Sequence, residues 1–121
     1  MAEEESIQDS INEFERTRMQ LMNISAQKQQ LQMQSSALGD ALKELEKTKE
    51  KKVYKAVGNI LILSPADRVK KEVTEQKESI ELRVKTLQKQ EDISIEKLNK
   101  LKHRIETKSG SAEAKEQEET G

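Results

Sequence analysis

Apolar residues recur along the N-terminal part of the chain mostly at steps of three, four or seven: Ile7, Ile11, Phe14, Leu21, Ile24, Leu31, Leu38, Leu42 and Leu45. With 3.6 residues per helical turn, such steps lay one narrow apolar stripe along a helix, the seam of a coiled coil. One phase slip falls between Leu21 and Ile24. Residues 6–52 hold no proline and a single glycine, Gly39, so the pattern predicts one long helix there.

The period changes at Val53. Val53-Tyr54-Lys55-Ala56-Val57 and Ile60-Leu61-Ile62-Leu63 are two short β-prone runs around Gly58-Asn59, which predicts a hairpin over residues 53–63. The second run is apolar at four successive positions, so both of its faces need cover. In Ser64-Pro65-Ala66-Asp67, serine suits a helix cap, proline the first helical turn and aspartate the positive end of the helix dipole. A second helix is expected over residues 65–108, with Val73, Ile80, Leu87 and Leu101 on one seven-residue line. Val84, Leu98 and Ile105 form the other, and Glu91 and Ser94 leave gaps in the seam. Ser109-Gly110-Ser111 opens an acidic tail, residues 109–121, without periodicity, expected to be disordered.

Two helices of nearly equal length, each roughly 65 to 70 Å at ~1.5 Å per residue, would flank the hairpin. Reversal of the chain there lets the two seams zip antiparallel. The fold class that follows is mainly α: an antiparallel two-helix coiled coil joined by a β-hairpin, in one domain spanning residues 1–108. Acids outnumber bases in residues 1–52 and bases outnumber acids in residues 53–108, so the arms attract weakly. An isolated two-stranded hairpin is marginal in water and its open edges invite pairing, so oligomerisation through the hairpin is expected. At the other end Ile7, Ile11 and Phe14 come opposite Leu101 and Ile105, near a fraying end where apolar groups are expected to be partly exposed. Met33 is expected to be packing filler.

Composition agrees with helices that have a thin seam. Of 121 residues, 32% are hydrophobic, 2% aromatic and 37% charged, too little apolar matter for a thick globular core. Such a composition fits either disorder or charged helices, and the periodicity selects the helices. A net charge of -1 provides no basic field for nucleic acid. The chain lacks cysteine, which removes disulfides, thiolate metal sites and cysteine nucleophiles. The first eleven residues do not read as a signal peptide, and no run approaches ~18 apolar residues. A soluble cytosolic protein without membrane contact is expected.

Candidate chemistry is sparse. His103 is the sole histidine and reads as a solvated surface residue rather than a metal ligand. Lys47, Lys49, Lys51 and Lys52 are interleaved with Glu44, Glu46 and Glu50, a solvated face rather than a phosphate site. No catalytic arrangement or phosphate loop stands out, so neither enzymatic activity nor a cofactor is expected.

Val53-Tyr54-Lys55 followed by Gly58-Asn59-Ile60-Leu61-Ile62, set between two equal coiled-coil arms, resembles the prefoldin family, in particular the archaeal β-type subunit. Gln27, Gln29, Gln30 and Gln32, and Leu82-Arg83 through Lys89-Gln90-Glu91, add to the resemblance, which covers roughly Ile7 to Lys108. It implies a heterohexamer of two α-type and four β-type subunits, with hairpins joined into intersubunit β-barrels and arms projecting as tentacles. It also implies capture of unfolded proteins at the arm tips without ATP, and their transfer to a group II chaperonin. Carried onto this sequence, assembly would fall to Val53, Tyr54, Val57, Ile60, Leu61, Ile62 and Leu63. Capture would fall to Ile7, Ile11, Phe14, Leu101 and Ile105, with Met19 and Met22 as adaptable additions. The competing reading is a structural coiled-coil scaffold or spacer that binds no unfolded client.

Overall fold

In the computed structural model the chain runs α1 (Ala2–Lys47), β1 (Lys52–Val57), β2 (Ile60–Pro65) and α2 (Ala66–Thr120). The structure describes the backbone of residues 2–120 and the side chains of residues 7–108. Two compact units form: a terminal unit, of residues up to Ala26 with those from Gln88 onward, and a hairpin unit, Gln27–Leu87.

Along α1 one series of buried and half-buried positions, flanked by the half-buried Glu13, Ser25 and Gly39, runs Ile7, Ser10, Phe14, Thr17, Leu21, Ile24, Lys28, Leu31, Ser35, Leu38, Leu42 and Leu45. Their steps alternate between three and four throughout, so the phase slip expected between Leu21 and Ile24 does not exist. Hydroxyl residues fill the places where an apolar count sees a break. Thr17, 2% exposed, stands between Phe14 and Leu21, and the buried Ser10 stands between Ile7 and Phe14. Small hydroxyl side chains can occupy a seam because a helix offers them nearby backbone partners. Among the described residues no buried side-chain polar atom lacks a hydrogen bond. Ile11 is displaced to the edge of the seam, where it is exposed.

In α2 the corresponding series is Ala66, Val69, Val73, Lys77, Ile80, Val84, Leu87, Glu91, Ser94, Leu98, Leu101, Ile105 and Lys108. Its two consecutive four-residue steps, Val69 to Val73 to Lys77, make a stutter. Glu91 and Ser94, the expected gaps, are seam positions with polar occupants, and Ser25 Oγ donates to Glu91 Oε2 at 2.7 Å. Both units pair their helices antiparallel. In the terminal unit, moving from Glu13 to Ser25 on α1 moves the partner from Lys97 back to Glu91. In the hairpin unit, moving from Ser35 to Gly39 moves it from Glu81 back to Lys77.

Several element boundaries differ from those the sequence suggests. Helix α1 ends at Lys47, not near Lys52, although Lys-Thr-Lys-Glu-Lys is helix-prone. Thr48 N–H still donates to the Glu44 carbonyl at 3.1 Å. Thr48 Oγ1 then accepts from the Glu50 amide at 3.2 Å, a local bond that competes with the helix. Pro65 belongs to β2, paired with Lys52, and α2 begins one residue later than expected. A proline at a strand end need donate nothing. Ser64 does not cap the helix, since its hydroxyl donates to the Ile62 carbonyl at 3.5 Å. The Ala66 amide instead donates to the Lys51 carbonyl at 2.8 Å, which closes the open end of the hairpin. Helix α2 continues past Lys108 to Thr120, and the side chains of the expected tail lie outside the described residues.

Gly39 sits within α1, where glycine is disfavoured by ~1 kcal/mol relative to alanine. A Cβ there would lie 3.3 Å from Lys77 Cε, so the glycine makes room for the stem of the seam lysine at the stutter. Because that neighbour is the far end of a flexible side chain, it can yield by the few tenths of an ångström required. Gly39→Ala is therefore expected to raise stability by roughly 0.5–1 kcal/mol, read as a higher midpoint of thermal unfolding by circular dichroism. A lower midpoint would show that Lys77 cannot yield.

Candidate functional site: the apolar hairpin

β1 and β2 pair antiparallel as Lys52↔Pro65, Val53↔Ser64, Tyr54↔Leu63, Lys55↔Ile62, Ala56↔Leu61 and Val57↔Ile60. Gly58 and Asn59 form the two-residue turn. Gly58 has φ 60° and no other described residue has positive φ, the pattern of a type II′ turn, whose twist suits a hairpin. This local chemistry sets the register, and register decides which residues share a face.

One face carries Val53, Lys55 and Val57 with Ile60, Ile62 and Ser64, and it is turned toward the start of α2. A cleft of about 210 Å³ lies there, bordered by Val57, Ile62, Val69 and Glu72. Val53, Lys55 and Ser64 are half-buried and Val69 is buried. Lys55 Nζ donates to Glu72 Oε2 at 2.5 Å, and Arg68 Nε lies 3.6 Å from the other carboxylate oxygen. Chiefly the hydrogen bond from Lys55 holds the Glu72 carboxyl below the ordinary glutamate range, outweighing partial desolvation, with Lys55 and Arg68 adding charge attraction.

The opposite face carries Tyr54, Ala56, Leu61, Leu63 and Pro65, and none of the described residues covers it. Tyr54 is 70% exposed and Leu61 67% exposed. Ile60, Ile62, Leu63 and Val57 are also exposed, so every residue of the four-residue apolar run presents itself to solvent. Burying one large apolar side chain is worth roughly 1.5–3 kcal/mol, and a contiguous apolar patch of this kind marks an interaction surface.

The terminal unit holds the other candidate residues. Leu101, 4% exposed, lies in its core and has no surface to present, unlike the rest of that group. Ile7, Phe14 and Ile105 are half-buried on the seam. Ile11, Met19 and Met22 are exposed. Glu13 and Lys97 pair across the helices at 3.0 Å, and that hydrogen bond holds the Glu13 carboxyl below its usual range. Met33 does not pack in the seam as expected but is exposed, because it falls at an outer position of the repeat.

One feature of α1 escaped the apolar count. From Met19 to Gly39, Lys28 is the only charged residue, and it occupies the seam, so the outer side of that stretch is uncharged. The signal was a local absence of charge in a chain that is 37% charged. His103 is exposed, and among the described residues no group of three or more His, Cys, Asp or Glu could hold a metal ion. No helix among the described residues is long and apolar enough to cross a membrane.

Residues 8–112 match the family model for prefoldin subunits. The prefoldin subunit beta of Pyrobaculum islandicum is 40% identical over 101 residues, which cover 83% of this chain and 81% of that protein. The corresponding subunit of Archaeoglobus fulgidus is 40% identical over 87 residues, 71% of this chain and 75% of the relative. The crystal structure of the prefoldin beta subunit from Thermococcus strain KS-1 superposes with a TM-score of 0.79 at 30% identity, covering 84% of this chain and 90% of that one.

A carboxyl whose pKa is depressed by folding stabilises the fold above its unfolded pKa and loses that contribution as pH falls through the folded value. Glu72→Gln should therefore lower the thermal midpoint slightly at pH 7, where Glu72 is paired, with the gap to the parent closing below the ordinary glutamate range. An equal gap at both pH values would show that the loss is not the ion pair.

Proposed function

Because the chain belongs to the prefoldin family of chaperone subunits, on its β-type side, we propose that it is an ATP-independent, non-enzymatic chaperone subunit that assembles through its hairpin and captures unfolded proteins. The observation that carries this reading is the uncovered apolar hairpin face of Tyr54, Ala56, Leu61 and Leu63. A two-stranded sheet with solvent on an apolar face and two open edges is unstable by itself, and strands from further subunits remove both defects at once. Val53, Tyr54, Val57 and Ile60 through Leu63 are the assembly residues in this reading. Their partners are an α-type subunit and further copies of this chain, in a cytoplasmic heterohexamer of two α and four β subunits.

Capture belongs to the terminal unit. Ile11, Met19 and Met22 on α1 are accessible apolar groups there, as are Ile93 and Ile95 on α2; the half-buried Ile7, Phe14 and Ile105 join the α1 group, and Leu101 acts as their support. Each contact is small, and several arms acting together raise the net affinity while leaving each contact reversible. Such reversibility suits delivery to a second chaperone, a group II chaperonin, without nucleotide hydrolysis.

Leu61→Asp with Leu63→Asp should abolish the hexamer, since two carboxylates would be desolvated without partners. Native mass spectrometry of the chain co-expressed with an α-type subunit reads this directly, and an intact hexamer would refute the assembly surface. Ile11→Ser with Met22→Ser should leave the hexamer assembled but weaken suppression of client aggregation, by roughly thirtyfold if each of the two lost contacts is worth ~1 kcal/mol. Undiminished suppression would remove these residues from the capture surface.

A further inference from the structure

Met19 and Met22 occupy outer positions of the α1 repeat, and each is 63% exposed. Neither closes the seam, so the fold does not require a thioether at either place. They stand three residues apart, hence on adjoining turns of one helix side, just after Arg18 and at the start of a stretch, Met19 to Gln27, that carries no charge. The chain has no cysteine, so methionine sulfur is its only sulfur. An accessible thioether is a soft, adaptable apolar contact, and oxidation turns it into a polar, chiral sulfoxide.

We propose that Met19 and Met22 are reversible oxidation sites through which a hydroperoxide switches off client capture by the terminal unit. The proposal rests on the capture reading given above. In the step itself, a sulfur lone pair attacks one peroxide oxygen, the S–O bond forms and the O–O bond breaks. The thioether loses two electrons to the peroxide. The proton on the transferred oxygen passes to the departing oxygen, which leaves as water or an alcohol. Reversal uses a dithiol reductant, which removes the oxygen as water and becomes a disulfide.

The sulfoxide oxygen is a strong hydrogen-bond acceptor that holds water, so burial against an apolar client segment leaves it without a partner. Neither side chain packs in the seam, so oxidation leaves the coiled coil and the hexamer in place. Met33 provides the internal comparison. It is as exposed as the other two, belongs to the hairpin unit and is no part of the capture surface.

The test treats the full hexamer with hydrogen peroxide, locates the added oxygen by peptide mass spectrometry, and measures suppression of aggregation of guanidine-unfolded citrate synthase. The expected result is one oxygen on each of Met19, Met22 and Met33, a native mass that is still that of a hexamer and is raised only by the added oxygens, and suppression weakened roughly tenfold. A methionine sulfoxide reductase with dithiothreitol should restore it. Met19→Leu with Met22→Leu should hold its own untreated level after peroxide, whereas Met33→Leu should lose suppression as the parent does. Complete oxidation of Met19 and Met22 with suppression intact overturns the switch. A double leucine variant that loses suppression as fully as the parent does so too. An untreated hexamer that suppresses nothing overturns the capture reading, and the switch with it.

Discussion

A two-stranded antiparallel sheet has two faces and two edges, and a chain with a single helix start beside it can cover only part of one face. That constraint governs the hairpin unit. Val53, Lys55 and Ser64 turn toward Val69 and the carboxylate of Glu72, while Tyr54, Ala56, Leu61 and Leu63 remain in solvent. A soluble chain does not ordinarily leave such a run uncovered. The apolar face and the unpaired strand edges make the same demand, which further strands of the same kind satisfy.

The helices obey a different economy. Their seam repeats without a slip in α1, yet Ser10, Thr17, Lys28 and Ser35 take places where a tightly zipped coiled coil would have leucine. Polar seam residues reduce stability and fix register. Ser25 with Glu91, and Gly39 with the stem of Lys77, each make sense in one alignment of the helices only. The seam therefore specifies how the two helices meet more strongly than it holds them together. A hairpin unit that needs partners for its stability fits with that balance.

Surface character divides along the chain in a way that matches these roles. Helix α2 carries charge along most of its exposed sides, interrupted by the exposed Leu82, Ile93 and Ile95, with pairs such as Arg68–Glu72 and Lys100–Glu96, each worth little in water. The outer side of α1 from Met19 to Gly39 is uncharged and contains the exposed methionines. Under the proposed function, contacts made at Met19 and Met22, which belong to the terminal unit, are weak and adaptable.

Much of this was legible from the residues alone. The seven-residue period requires long helices, since no other element has that repeat, and Gly58-Asn59 between β-branched runs requires a tight reversal, because glycine accepts the positive φ of such a turn. Both signals are local, so sequence carries them in full. Which residues close the seam is not local. Counting apolar side chains misplaced Ile11 and Met33 and missed Ser10 and Thr17, because burial depends on phase relative to the partner helix and not on the polarity of the residue itself. The open end of the hairpin is likewise closed by a bond between residues far apart in the chain, from the Ala66 amide to the Lys51 carbonyl. The sequence determined the elements and their order; the tertiary structure decided which side of each element faces a neighbour, since that is settled by contacts between residues far apart in the chain.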